Sequence, residues 1–144
     1  MEDSTSAARF FQNGSLNVPW HDDLVMNLIA IDDVGAFAAL AFAEPHAYLD
    51  QAMEIAGDRL SAPQIADALS MAAGRTIRHA RVPLDILWER SPEAAKVFTW
   101  ANETYFDTDP ASLRKVHPGL MDFGTWLNRS GKARLLIQLE SMSA

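Results

Sequence analysis

The chain contains no cysteine. Disulfides, thiolate zinc sites and a thiol nucleophile are excluded together, and the composition suits a reducing compartment. A basic cluster is also missing: 12 Lys and Arg stand against 19 Asp and Glu, for a formal net charge of −7. A surface of that sign repels phosphate backbones and anionic headgroups, so neither nucleic acid nor a membrane surface is an expected partner. Long hydrophobic runs are absent. The longest apolar stretch, VGAFAALAFA (34–43), is too short to span a bilayer. The opening MEDSTSAARFF carries two acids and no apolar segment of the secretory kind, which sets the expectation of a cytoplasmic protein. Without an export signal, the sequons at Asn13, Asn102 and Asn128 read as chance.

Chemistry-bearing motifs are equally scarce. There is no H-E-x-x-H, no H-x-H and no EF-hand loop, and His21, His46, His79 and His117 are scattered. His21-Asp22-Asp23 is the densest cluster and reads as a polar surface turn. Gly131-Lys132 lacks the upstream glycine of a P-loop, and no G-x-S-x-G elbow is present. No metal is expected.

What the sequence does hold is the balance of an ordinary globular domain. Its 144 residues are 49% hydrophobic and 22% charged, enough to bury a core without staples. LVMNLIAI (24–31) reads as a buried strand, apolar apart from Asn27. Asp32 and Asp33 follow, then a helix to about residue 43, with one aspartate read as a helix cap and the other as its solvated neighbour. AMEIAG (52–57) reads as a short strand. Ser61 with Gln64 forms a capping box for a helix that Gly74 ends. TIRHARVP (76–83) reads as a strand, LDILWER (84–90) as a short helix, and Ser91-Pro92 opens another. Asp109-Pro110 starts one more, and the segment after Lys132 is apolar enough for strand or helix. The expected fold class is α/β, with about three or four strands and about five or six helices.

Several segments together carry a resemblance. IAIDDVGAFAALAFAEP, YLDQAMEIAGDRLSAPQIADALSMAAGR, SPEAAKVFTWANE and LRKVHPGLMDFGTWL resemble the C-terminal half of NmrA-like proteins, atypical short-chain dehydrogenases that bind NAD(P) or sense its redox state. The resemblance implies a truncated, Rossmann-derived lobe on the substrate side, with an N-terminal arm over 1–20, a single domain over 21–131 and a tail over 132–144. The family's glycine-rich phosphate turn has no counterpart here, since no G-x-G-x-x-G occurs. Tyr48 and Tyr105 also lack the lysine four residues on that typical short-chain dehydrogenases carry. No cofactor is therefore expected.

The expected site is a cleft for a small apolar molecule. Trp20, Asn27, Trp88, Phe98 and Trp100 are its candidate lining, with plain core packing as the alternative for the rings. His21, Glu103 and Tyr105 are the candidate acids or bases, suited to a cofactor-independent cyclase, isomerase or dehydratase. The competing expectation is a non-catalytic regulatory or interaction module. A strand with an uncovered edge also predicts self-association, most simply as a symmetric homodimer.

Overall fold

Ser61 shows how closely local signals set the elements. Its backbone N–H donates to Gln64 Oε1 at 2.8 Å, and the reciprocal capping box is formed. Pro63 occupies the first turn, and Gly74 ends the helix at φ 67°, a left-handed conformation that glycine adopts without steric cost. The computed structural model describes residues 11–12, 14–104 and 107–141. In chain order these form β1 (Phe11–Gln12), β2 (Ser15–Val18), β3 (Met26–Leu28), α1 (Ile31–Ala43), α2 (Pro45–Tyr48), β4 (Asp58–Leu60), α3 (Ala62–Ala73), β5 (His79–Arg81), α4 (Leu84–Arg90), α5 (Pro92–Glu103), α6 (Pro110–Val116), α7 (Phe123–Trp126) and α8 (Lys132–Ser141). A π-helical turn, Leu127–Gly131, joins the last two.

The architecture is mixed α/β, with strands shorter than expected. One sheet has the order β1-β2-β5, antiparallel between β1 and β2 and parallel between β2 and β5. A separate two-stranded ladder pairs β3 with β4, setting Met26 opposite Leu60 and Asn27 opposite Arg59. The larger core draws on almost the whole chain: Leu16, Val18 and Trp20 near one end, Ile65 and Leu69 from α3, Phe123 and Trp126, then Leu135 and Leu139 from α8. Phe37, Leu113 and Leu120 make a smaller cluster under α1. No described helix is long and apolar enough to cross a membrane.

Three local expectations change. Only Met26–Leu28 of the apolar run is extended, and it is half-buried rather than covered on both faces. Ala30 is the N-cap, so Ile31 already belongs to α1 and is 63% exposed. AMEIAG is irregular, and the strand lies just after it, with Gly57 at the junction passing close to backbone. A Cβ at Gly57 would lie 2.0 Å from the Met121 carbonyl oxygen, while its N–H donates to Leu28 O at 2.8 Å. Asp33 is neither cap nor solvated: it is 3% exposed. The C-terminal segment resolves to helix, with the Trp126 ring lying over Gly131.

Candidate functional site

Strand β3 alternates its side chains. Met26 and Leu28 pack toward the larger core, as does Leu60 across the ladder. Asn27 and its cross-strand neighbour Arg59 therefore share the other face. There the Asn27 Nδ2 amide donates to Thr108 Oγ1 at 2.7 Å, and the Thr108 hydroxyl donates to Glu54 Oε2 at 2.9 Å. Arg59 Nη1 lies 3.8 Å from Asp107 Oδ1. Thr108 is buried, Asn27 half-buried and Glu54 exposed, so the chain of bonds runs from interior to surface.

This chain fixes the amide orientation by chemistry. Thr108 has one hydroxyl hydrogen, and it is donated to the Glu54 carboxylate. The Thr108 oxygen must then accept, which places the Asn27 nitrogen toward it and the carbonyl oxygen away. That oxygen, Asn27 Oδ1, is shielded from solvent and has no hydrogen-bond partner among the described residues. Leaving a buried acceptor unpaired costs about 1–3 kcal/mol.

A second grouping lies where β2 runs out against α5. The Trp20 and Phe98 rings stack with centroids 5.8 Å apart. Asn102 clamps the turn: its Oδ1 accepts from His21 N at 2.8 Å and its Nδ2 donates to Pro19 O at 3.2 Å. His21 Nε2 lies 3.4 Å from Arg81 Nη2. A guanidinium has no acceptor, so the imidazole nitrogen facing it presents its lone pair. His79 Nε2 lies 3.4 Å from Asp22 Oδ1 nearby. Trp20, His21 and Phe98 are thus brought together, with Glu103 exposed one residue beyond Asn102. Asn27 belongs to the other grouping. Trp88 and Trp100 are 42% and 56% exposed and line no closed wall. Tyr105 lies outside the described residues.

Sequence reasoning missed a third contact. Asp33 Oδ2 accepts from Met121 N at 3.1 Å, and Oδ1 lies 3.0 Å from His117 Nε2. The His117 ring meets Phe37 edge-on, with centroids 5.6 Å apart. The buried carboxylate ties α1 to the 117–121 segment and orients the imidazole. No spacing rule pairs residues so far apart. Thr108 and Glu54 were likewise unmarked, because a hydroxyl and an acid in irregular segments carry no motif. Among the described residues no group of three or more His, Cys, Asp or Glu is placed to hold a metal ion.

The carboxyls of Asp109 and Asp122 are held below the usual range. Asp109 is lowered chiefly by hydrogen bonds from Ser112, and Asp122 by the backbone N–H and hydroxyl of Thr125. Both are helix caps, for α6 and α7.

Residues 4–127 match the NmrA-like family. The chain belongs to that family. A crystal structure of an NmrA mutant carrying two glycine substitutions superposes with a TM-score of 0.65 at 16% identity, over 95% of this chain and 48% of that one. At that identity the likeness establishes the fold, and this NmrA-like chain spans about half the length of the protein it matches. No curated protein matches it significantly. Within the NmrA-like chain, the DD pair at 32–33 divides into an exposed residue and a buried tie, and the polar face of β3–β4 lies apart from it.

Proposed function

We propose that this NmrA-like chain is a small-molecule-binding lobe whose own residues support proton-transfer chemistry on an apolar molecule, of the cyclase, isomerase or dehydratase type, without a nucleotide cofactor. The observation that carries the reading is the Asn27–Thr108–Glu54 chain of bonds, which holds an amide in one orientation on the polar face of a ladder whose other face packs on the core. Mostly apolar sites with a few fixed polar groups are what small ligands occupy. His21, held at its backbone by Asn102 beside the Trp20–Phe98 stack, supplies the imidazole for proton transfer, with Glu103 as the second acid or base.

A second reading, a non-catalytic interaction module, is favoured by the exposed Trp88, Val97 and Trp100 on α4 and α5. Either reading includes a homodimer, supported by the outward apolar side chains of α1.

Native mass spectrometry of the purified protein, with NADPH and a panel of aromatic ligands, separates these readings. Retention of an apolar ligand with no NADPH adduct is the expected result, and His21→Ala then lowers turnover without lowering retention. A protein that retains no apolar ligand leaves the interaction module standing, and an NADPH adduct refutes the cofactor-free reading.

A further inference from the structure

We infer that residues 31–54 form a lid, hinged at the β3–β4 ladder and latched shut by Asp33.

The topology supplies the hinge. Both ends of the segment are fixed to one base: Leu28 pairs with Asp58 across the ladder, the Gly57 N–H donates to Leu28 O at 2.8 Å, and Ala30 and Ala56 are fully buried. The Glu54–Thr108 bond fastens the returning end beside the same ladder. The chain between leaves this base and comes back to it, so it can lift without parting the strands. Little holds it down. Asp33 and Phe37 are the buried residues of α1, α2 buries none, and residues 49–54 are exposed throughout. Local stabilisers are few as well: α1 has no side-chain cap at its N-terminus and carries Gly35 in its interior, whereas α3 has a capping box and buries Ala62, Ile65, Ala66 and Leu69. A segment with few buried groups and exposed connections opens at a lower free energy than the fold as a whole.

The seat and the latch lie on the other side of the hinge. Phe37, with half-buried Leu40 beside it, rests on Leu113 and Leu120, a cluster separate from the larger core. Lifting α1 therefore bares that cluster and leaves the larger core packed. Asp33 is the buried polar group of the lid, and its carboxylate accepts from Met121 N at 3.1 Å and meets His117 Nε2 at 3.0 Å. Both partners belong to the 117–121 segment beneath the lid, so both contacts form only in the seated position. Hydrogen bonds to a charged group are the stronger class, which makes this residue the latch.

Hydrogen–deuterium exchange of the full chain, read peptide by peptide, tests the lid with α3 as the internal reference. In the unaltered protein the amides of residues 31–43 should exchange at least about tenfold faster than those of 62–73. Asp33→Leu keeps the size and removes both acceptor oxygens. His117→Phe keeps a ring against Phe37 and removes one donor. Each variant should speed exchange in 31–43 by about tenfold or more and leave 62–73 unchanged. His117→Phe carries the test if Asp33→Leu does not fold. Equal protection of α1 and α3 in the unaltered protein overturns the proposal, because α1 then opens only with the whole fold. Exchange that rises equally in both helices of the variants, or in neither, overturns it too.

Discussion

Two glycines show how residue-scale geometry decides the sign of the same substitution. At Gly57 a Cβ would lie 2.0 Å from the Met121 carbonyl oxygen, which is backbone and not the end of a flexible side chain that could move aside. Gly57→Ala is therefore expected to destabilise the fold by about 1–3 kcal/mol or more, as overpacking does. Gly35, inside α1, has nothing within 4 Å of the same atom. There the substitution removes only backbone freedom from the unfolded chain, and Gly35→Ala should stabilise by roughly 0.5–1 kcal/mol. Chemical denaturation of the two variants checks both signs. Asp122 gives a prediction with a pH signature. Its Oδ1 accepts from Thr125 N at 2.6 Å, and the hydroxyl of Thr125 adds a second bond that holds the carboxyl below its usual range. The charged cap contributes stability above the unfolded value of about 3.9, and the contribution is lost as pH falls through the lower folded value. Asp122→Ala should cost about 1 kcal/mol at pH 7, and the difference between variant and parent should fade as pH falls through the lowered folded value. Melts across an acid pH series read it directly.

At the scale of elements, the capping box of α3 makes the sharpest claim. Ser61→Ala removes the hydroxyl half of the reciprocal pair with Gln64, and should lower stability by about 1 kcal/mol while far-UV circular dichroism at 25 °C stays unchanged. Helices with such punctuation were the legible part of the fold. Ser91-Pro92, Asp109-Pro110 and Gly74 mark ends that the structure confirms, because capping is a matter of neighbouring residues. Strands were less legible. LVMNLIAI is apolar enough for an eight-residue strand, but Ile31 and the residues after it satisfy their backbone groups in α1 instead. The apolar run alone cannot distinguish a strand from a helix start. AMEIAG holds no strand, which starts only at Asp58, and Gly57 between them meets the Met121 backbone, a residue far along the chain. The same distance hides Asp33. Read locally it is a helix-start acid, while its partners, Met121 N and His117, lie in a segment the chain reaches much later. In the candidate site, Asn27 stood out as the one polar side chain in an apolar run, whereas Thr108 and Glu54 become visible only when the ladder brings them to it.

On the scale of the whole molecule, the outstanding feature is apolar surface that the fold leaves uncovered. Helix α1 presents Ile31, Val34 and Phe42 outward, at 63%, 40% and 87% exposure. Gly35, Ala38 and Ala39 beside them are exposed and small, which permits the close approach of a second helix. These positions recur at three- and four-residue intervals and so form one stripe along the helix. Buried Phe37 shows that the opposite side already serves the smaller core cluster, so the stripe is not a displaced part of it. A net charge of −7 opposes association of two copies at long range, and the apolar contact must outweigh it. Two copies meeting along this stripe would form an isologous interface in which each Phe42 packs on its partner's helix. Sedimentation velocity at micromolar concentration is expected to show a dimer that tightens with added salt, because salt screens the repulsion and leaves the apolar contact intact. Phe42→Lys should release the monomer without altering the circular dichroism, since the side chain contributes almost nothing to its own core. A parent protein that sediments as a monomer at all salt concentrations would refute the stripe as an interface between copies.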